Sequence, residues 1–426
     1  MELPGKKVAI LGLGKSGFAS ALFLHEKGFQ VFATDQAASS LVAERAHQLR
    51  EKGMEAESGQ HTRQRILDSD WAVISPGIPP TAEIYQALRQ RNIPVYSEIE
   101  VASWYSASSR IIAVTGSAGK TTVTTLLTRL LQAGGHQAIS CGNIGNPWIG
   151  ELKKINKNDF VVLEVSSFQL EHCESFRPSV GILLNLAPNH QDWHADMAAY
   201  VDAKLRLFQN QQPEDYAVIR ESDRCLFFPR YQFRAEVIPF GESKKNPNEE
   251  VVGIVGGLFG CSQANLTQVL LDFEGIEHRL ERVAVHEGIA FVNDSKSTTA
   301  ASLAWALKSL PDSSVVLIAG GHPKSTDFAS VSELLRQKVK QAVLIGEAKP
   351  LLREAWEGVC PLLEAGDLTE AVRSAHQSAH AGDTILLSPA CASFDMFQNY
   401  EDRGRQFKRI VKEIIDADQQ LPVRQL

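Results

Sequence analysis

The stretch Arg110–Thr125, RIIAVTGSAGKTTVTT, decides the predicted fold of this chain. Its apolar, β-favouring start at 111–114 predicts a buried strand, a glycine loop follows at 116–119, and 123–132 has the composition of a helix. Strand, glycine loop, Lys-Thr and helix in this order are typical of a phosphate-binding loop. Glycines let backbone N–H groups close on phosphate oxygens, and the helix N-terminus adds positive potential.

Each polar residue of this loop has a chemical use if ATP binds there. Lys120 would neutralise phosphate charge, and the Thr121 hydroxyl could ligate Mg²⁺. The loop is two residues shorter than the common G-x-x-x-x-G-K-[ST] pattern, so an ordinary glycine turn before a helix is the alternative. We favour phosphate binding, because all the elements occur in order. The residues expected to contact the nucleotide are Gly116, Ser117, Ala118, Gly119, Lys120, Thr121 and Thr122.

Length and composition limit the class of protein. A chain of 426 residues is long enough for roughly two to four domains with their own cores. The formal charge is −7, and no basic run or basic-aromatic interleaving suggests a nucleic-acid partner. The six cysteines are scattered without a C-x-x-C pair, which is typical of reduced thiols. With neither a signal-peptide pattern nor a run that could span a bilayer, we expect a soluble, cytoplasmic protein. We also expect a monomer.

A second glycine motif near the N-terminus predicts a Rossmann-like domain. A strand at 7–11 leads into G-x-G-x-x-G at 12–17, a helix follows at 18–27, and a second strand at 29–34 ends at Asp35. This pattern is typical of nucleotide binding, because the acidic residue about twenty positions on can accept hydrogen bonds from a ribose or base. The pattern does not decide which nucleotide binds, and a structural glycine turn with a solvated carboxylate is the alternative.

Two side chains near strand ends in the central region are candidate metal ligands. Glu164 lies within the apolar strand 160–165, where a charge is costly unless it is paired or ligates a metal. His190 follows the strand 180–185, and both residues fall at the carboxyl edge of the predicted sheet, where ligands bind. A lone histidine is more often structural, so the sequence alone leaves both readings of His190 open. By its spacing alone, Lys204 is a solvated lysine on a helix.

The order of elements predicts an α/β protein of three domains. Weaker strand signals at 97–109 and a break in the pattern at 275–279 mark the two boundaries, and the last segment predicts a parallel sheet. We therefore expect a Rossmann-like domain at 1–98, a central P-loop ATP-binding domain at 99–276 and a C-terminal Rossmann-like domain at 277–426. Their strand-end loops are expected to face a shared cleft.

Several segments together resemble the Mur ligases over about residues 5–412. They are GSAGKT at 116–121, EVSSFQ at 164–169, HR at 278–279, NDSK at 293–296 and SPACAS at 388–393. The phosphate loop is shared with folylpolyglutamate synthases. In contrast, SSFQ and SPACAS, with the N-terminal glycine motif and the Ser-Pro-Gly turn, are most similar to the D-glutamate-adding (MurD-type) members.

The resemblance implies a reaction and a set of small-molecule partners. It implies an ATP-dependent ligase that adds D-glutamate to UDP-N-acetylmuramoyl-L-alanine through an acyl phosphate, in peptidoglycan precursor synthesis. It also implies Mg²⁺, as two ions, and a carbamylated Lys204. Three alternatives stay open: a family member specific for another amino acid, an NAD-dependent oxidoreductase built on the glycine motif at 12–17, and a non-catalytic P-loop binding module.

The resemblance also implies a role for particular residues. UDP would be held by Lys15, Ser16, Thr34, Asp35, Ser75, Pro76 and Gly77, and the sugar-peptide by Asn143, Ser166 and Gln169. Metal ligands would be Thr121, Glu164, His190 and Lys204. Asn248, Arg279 and Asp294 would contact ATP, Lys296 would meet the transferred phosphate, and the D-glutamate pocket would comprise Thr298, Lys324, Ser393 and Tyr400. The chain departs from the family pattern at Ala118, Asn189, Lys245 and Tyr400.

Overall fold

The structure, a computed structural model, describes residues 5–187, 193–194, 196–229, 231–243, 246–273, 275–323 and 327–420, without the side chains of 418–420. The expected site residues His190 and Lys324, and the departures Asn189 and Lys245, lie outside the described residues. The chain divides after Phe273 into two compact units. No helix in the ranges given above has the length and apolar character that crossing a membrane requires.

The first unit begins with a five-stranded parallel sheet of strand order β3-β2-β1-β4-β5. Its strands are β1 Lys7–Leu11, β2 Gln30–Asp35, β3 Glu55–Ser58, β4 Trp71–Ile74 and β5 Val95–Tyr96. Its helices are α1 Lys15–Glu26, α2 Ser40–Glu51, α3 Arg63–Leu67, α4 Glu83–Gln90 and α5 Glu98–Tyr105. The strand order reverses between β1 and β4, and ligands of such sheets bind at the carboxyl ends of the strands beside that point.

The same unit contains a six-stranded parallel sheet of order β11-β10-β9-β6-β8-β7. Its strands are β6 Ile111–Thr115, β7 Ala138–Gly142, β8 Phe160–Glu164, β9 Val180–Leu183, β10 Tyr216–Arg220 and β11 Glu236–Phe240. Its helices are α6 Lys120–Ala133, α7 Trp148–Glu151, α8 Ser167–Glu171, α9 Met197–Leu205, α10 Glu221–Phe227, α11 Pro247–Leu258 and α12 Gln263–Leu271. All residues of the strand β6 are buried, which confirms the predicted core strand before the phosphate loop.

Helix α5 ties the first sheet to the central sheet. Ser97 caps it by accepting from the Glu100 N–H at 3.2 Å, so the weak strand signal predicted there is wrong. Glu98 accepts from Ile149 N at 2.6 Å, and Glu100 accepts from three consecutive N–H groups at 174–176 over 3.1, 2.8 and 2.9 Å. Both carboxylates are buried, and one apolar cluster continues from the first sheet into the central one.

The second unit is built on a six-stranded sheet of order β12-β13-β17-β14-β15-β16. Its strands are β12 Glu281–His286, β13 Ile289–Asn293, β14 Val315–Gly320, β15 Val339–Ile345, β16 Leu362–Glu364 and β17 Thr384–Leu387. Its helices are α13 Ala300–Lys308, α14 Ser332–Lys338, α15 Lys349–Trp356, α16 Leu368–Ser378 and α17 Tyr400–Gln420. The predicted all-parallel sheet is wrong at one edge, where β12 runs antiparallel to β13. The two residues between them, Glu287 and Gly288, adopt φ 48° and 78°, and such a short turn allows only a hairpin.

Candidate active site

The phosphate loop has a backbone that requires glycine at two positions. Gly116 and Gly119 have φ of 153° and 83°. A β-carbon at 119 would lie 2.9 Å from Asn248 Oδ1, and one at 116 would lie 3.0 Å from Leu184 Cβ. Helix α6 begins at Lys120, so the positive end of its dipole lies at the loop. The loop therefore presents the features of an anion site and packs against Asn248.

Side chains from other strands and helices fix the loop. The Ser117 hydroxyl lies 2.9 Å from the Tyr200 hydroxyl and donates to Ala187 O at 3.0 Å. The Asn185 amide accepts from Ala118 N at 2.8 Å and donates to Ala118 O at 3.0 Å. Asn185 thus holds the backbone at Ala118, so the conformation there does not depend on the side chain of residue 118.

Two lysines converge on the Gly116 carbonyl oxygen. Lys120 Nζ donates to it at 2.8 Å, and Lys204 Nζ donates to it at 3.1 Å and to Thr115 Oγ1 at 3.3 Å. Lys204 is 2% exposed, so the prediction of a solvated helix lysine is wrong. Burial, and then the charge of Lys120, hold the pKa of Lys204 well below the ordinary lysine value.

Glu164 ends the strand β8 with its carboxylate buried beside the loop. Thr121 Oγ1 donates to Glu164 Oε2 at 2.7 Å, and Asn143 Nδ2 donates to Glu164 Oε1 at 2.8 Å. The resemblance implies that Asn143 contacts a substrate, whereas in the structure its side chain binds the candidate metal ligand Glu164. A carboxylate and a hydroxyl at a phosphate loop are hard oxygen donors of the kind that Mg²⁺ prefers, so this pair fits a magnesium ion.

Side-chain hydrogen bonds also hold the backbone of the glycine motif in the first sheet. The Asp35 carboxylate accepts from Leu13 N at 2.6 Å and Ala37 N at 2.8 Å. Ser75 Oγ donates to Gly12 O at 3.2 Å, which ties the Ser-Pro-Gly turn to the motif. The remaining expected contacts there, Lys15, Ser16, Pro76 and Gly77, are exposed or half-buried at the same edge.

Two further groups of expected substrate contacts in the first unit are engaged within the fold. Thr34 is fully buried, and its hydroxyl donates to Glu57 at 2.9 Å, within 2.9 Å of His61 Nδ1. Ser166 and Gln169 form the capping box of α8, with Ser166 Oγ donating to Gln169 Oε1 at 3.0 Å. Both groups lie near the carboxyl ends of strands, at the edge where ligands are expected to bind, and their hydrogen bonds hold the backbone there.

Four expected site residues of the second unit, Asp294, Lys296, Thr298 and Ser393, lie on loops that follow its strands, whereas Arg279 precedes β12 and Tyr400 begins α17. Asp294 is 4% exposed, and burial raises the pKa of its carboxyl to about 6, although Ser388 Oγ donates to it at 2.8 Å. Lys296 Nζ lies 5.7 Å from the centre of the Tyr400 ring. Ser393 is buried, and Arg279 and Thr298 are half-buried.

Sequence reasoning missed three residues that organise these sites. They are Asn185 and Tyr200, which hold the phosphate loop, and Arg403, whose buried guanidinium binds the loops of the second unit. Helical spacing was a usable signal for two of them. Tyr200 is four positions before Lys204, and Arg403 is three positions after Tyr400, so each shares a helix face with an expected site residue.

Three domains of one known protein family match successive segments of the chain. Residues 6–97 match the family "Mur ligase MurD-like, N-terminal domain", residues 114–266 match "Mur ligase middle domain", and residues 278–391 match "Mur ligase, glutamate ligase domain". The chain therefore belongs to the Mur ligase family, which confirms the resemblance and the three-part α/β fold.

Two relatives and one crystal structure show more specifically which proteins the chain is similar to. The chain is 36% identical to the UDP-N-acetylmuramoylalanine–D-glutamate ligase of Chloroherpeton thalassium, over 96% of this chain and 98% of the relative. It is 38% identical to the enzyme of that name from Chlorobaculum parvum, over 97% and 98% of the two chains. The crystal structure of MurF ligase from Thermotoga maritima in complex with ADP shares the fold, with a TM-score of 0.60 at 13% identity over 98% of this chain and 100% of that one.

Proposed function

We propose that this protein is an ATP-dependent ligase that adds D-glutamate to UDP-N-acetylmuramoyl-L-alanine in peptidoglycan precursor synthesis. The observation that carries the proposal is the similarity, over nearly the whole chain, to relatives named for that reaction. The preformed phosphate loop, with Lys120 and the buried Glu164 beside it, supports ATP use.

The reaction needs activation because a carboxylate is a poor electrophile. The alanine carboxylate attacks the γ-phosphorus of ATP, the bond to the bridging oxygen breaks, and ADP leaves an acyl phosphate. The D-glutamate amine then attacks the acyl carbon, loses a proton, and displaces phosphate. Phosphoryl transfer of this kind depends mainly on positioning and on offsetting charge, which is the role we assign to Lys120 and, in the second unit, to Lys296.

In this proposal, magnesium ions offset the remaining negative charge of the phosphates. When bound, Mg²⁺ polarises the phosphate oxygens and neutralises their charge. Glu164 and Thr121 would supply oxygen ligands, because they lie together at the loop. We propose two ions, with His190, which lies outside the described residues, as a further ligand.

Lys204 has the environment that carbamylation requires. Its lowered pKa favours the neutral amine, which is the form that adds to the carbon of CO₂ with loss of one proton. The product is an anion, so a carbamate at this position would offset the charge of Lys120, which the neutral amine cannot do. We propose that the modified Lys204 takes part in holding the metal.

The substrates are assigned by region. UDP would bind at the glycine motif of the first sheet, where the helix α1 starts and Asp35 fixes the backbone. ATP would contact Asn248, Arg279 and Asp294, and D-glutamate would use Thr298, Ser393, Tyr400 and Lys324. We also keep as proposals the domain limits 1–98, 99–276 and 277–426, a monomer, and action in the cytoplasm, where ATP and a nucleotide-linked sugar are available.

One assay tests the reaction and its specificity together. Purified protein is given ATP, Mg²⁺ and UDP-N-acetylmuramoyl-L-alanine, and ADP release is followed as single amino acids are added. We expect release that depends on D-glutamate, and a product heavier by one glutamate residue. Release with another amino acid instead would assign a different Mur ligase activity, and no release with any would overturn the proposal.

A further inference from the structure

Arg403, on the first turn of α17, is a fully buried arginine bound to neutral oxygens. Its Nε donates to Ser295 Oγ at 3.0 Å, and one terminal nitrogen donates to Ser295 O at 2.9 Å and Cys391 O at 3.1 Å. The other donates to Ala392 O at 3.2 Å and Gly320 O at 3.5 Å. Among the described residues Arg403 forms no ion pair, although the Asp395 carboxylate acts on it electrostatically, so burying this charge is costly and calls for a specific reason.

The bound groups belong to three separate loops. Ser295 follows β13, Gly320 ends β14, and Cys391 and Ala392 follow β17. A flat guanidinium with five N–H donors can reach all three loops at once, which no other side chain can do. Ser295 Oγ also donates to the carbonyl of Tyr400 at 2.8 Å, so the start of α17 belongs to the same network.

These loops carry the described residues of the expected amino-acid pocket. Counted along the chain, Thr298 lies three positions after Ser295, Ser393 lies one position after Ala392, and Tyr400 lies three before Arg403. Each described pocket residue is therefore at most three positions from Arg403 or from a residue that it binds.

A glycine beside Arg403 lets the helix approach closely. A β-carbon at Gly404 would lie 2.1 Å from His278 Nδ1 and 3.0 Å from Asn293 Nδ2. The depth of α17, and with it the position of the Arg403 guanidinium, is thus set by backbone contact with β13 and the segment before β12.

We propose that Arg403 is a positioning residue for the amino-acid substrate. It does not touch the substrate but fixes the three loops that form its pocket, and so sets KM for the amino acid. The proposal rests on the ligase function given above. It predicts a selective effect, because the nucleotide-peptide is assigned to residues of the first unit.

The test compares Arg403→Met with Arg409→Met, which removes an exposed arginine from the same helix. Steady-state rates are measured with each substrate varied in turn. We expect Arg403→Met to raise KM for D-glutamate at least tenfold and leave KM for the nucleotide-peptide within twofold. Arg403→Lys should recover only part of the loss, and Arg409→Met should match the wild type. A purely structural role would lower the active fraction, and hence the rate, with every KM unchanged, and that result would overturn the proposal.

A second measurement does not depend on turnover. In Arg403→Met, amide hydrogen exchange at 294–298 and 388–393 should accelerate at least tenfold, while strands β14 and β15 stay protected. If Arg403→Met does not fold, Ser295→Ala removes the side-chain acceptor of Arg403 Nε together with the Ser295 hydrogen bond to the Tyr400 carbonyl, and should raise KM for D-glutamate about threefold; unchanged KM and exchange in that variant would refute the proposal. Inactive wild type would contradict the ligase function, and the exchange data would still decide the role of Arg403.

Discussion

Thr121 donates its hydroxyl hydrogen to Glu164 over 2.7 Å, although the two residues lie 43 positions apart. The contact joins the start of α6 to the end of β8. Asn143 holds the second carboxylate oxygen at 2.8 Å, so both oxygens are fixed beside the phosphate loop. Three elements of the central region thus combine to hold one buried carboxylate, with its negative charge, beside the phosphate loop.

Replacing Glu164 with glutamine should remove that charge and one of the two acceptor oxygens. We expect kcat to fall about 100- to 1000-fold, the range for loss of one preorganised electrostatic group. The Mg²⁺ concentration for half-maximal rate should also rise, because a neutral amide is a weaker ligand. Glu174→Gln, at an exposed carboxylate beyond α8, is the control. Unchanged Mg²⁺ dependence in Glu164→Gln would remove Glu164 from the metal ligands.

Lys204 can be tested without an activity assay. In wild-type protein supplied with ¹³C-bicarbonate, we expect a carbamate carbonyl resonance near the carboxylate region of the ¹³C spectrum. Lys204→Met should lack it and lose at least 100-fold in kcat, whereas the exposed Lys153→Met should retain both. Identical spectra from wild type and Lys204→Met would show that this lysine is not carbamylated.

Gly119→Ala should weaken nucleotide binding. The new methyl group would lie 2.9 Å from Asn248 Oδ1, and φ at this position is 83°. We expect KM for ATP to rise about tenfold, equivalent to ~1.4 kcal/mol. Gly135→Ala is the control, because Gly135 has a positive φ of 86° with no atom within 4 Å of the added carbon, but lies beyond the opposite end of α6. Equal losses of ATP affinity in both variants would show that the effect is not local to the phosphate loop.

Glu98 should make stability depend on pH. Burial raises the pKa of its carboxyl to about 7, from 4.5 for the exposed group, and Oε2 has no hydrogen-bond partner in the described structure. The folded protein therefore binds a proton that the unfolded chain has released, so stability falls as pH rises from 4.5 through 7. Above pH 7 the cost approaches ~3 kcal/mol.

Glu98→Gln should avoid that cost and keep the Ile149 hydrogen bond. We expect it to raise the free energy of unfolding by about 2–3 kcal/mol at pH 8 and to have almost no effect at pH 4.5. Urea unfolding at the two pH values measures this. Glu236→Gln, at an exposed carboxylate, should change neither value. A gain of equal size at both pH values would rule out titration of Glu98 as the cause.

The sequence predicts those features that depend on local order along the chain. The phosphate loop could be found because strand, glycines, Lys120 and helix are contiguous, and Glu164 because a charge interrupts an apolar strand. The burial of Lys204 could not, because it depends on the packing of α9 against the loop after β6. The sequence does not indicate helix α5, because its cap, Ser97, lies among other serines. It does not indicate the strand β12 either, because the Glu287-Gly288 pair is a weak hairpin signal. Arg403 depends on three loops that are distant in sequence.

The attachment of α5 has a consequence for dissecting this protein. Its two buried carboxylates bind backbone groups of the central sheet, and the helix occupies 98–105, between the family matches that end at 97 and begin at 114. A fragment ended at residue 97 would lose the apolar helix face that covers its sheet, and one begun at 106 would leave the N–H groups of 174–176 without their acceptor. Neither fragment is therefore expected to fold autonomously, and separate expression of the two should yield aggregates, whereas a cut after Phe273 falls at the boundary between the two compact units.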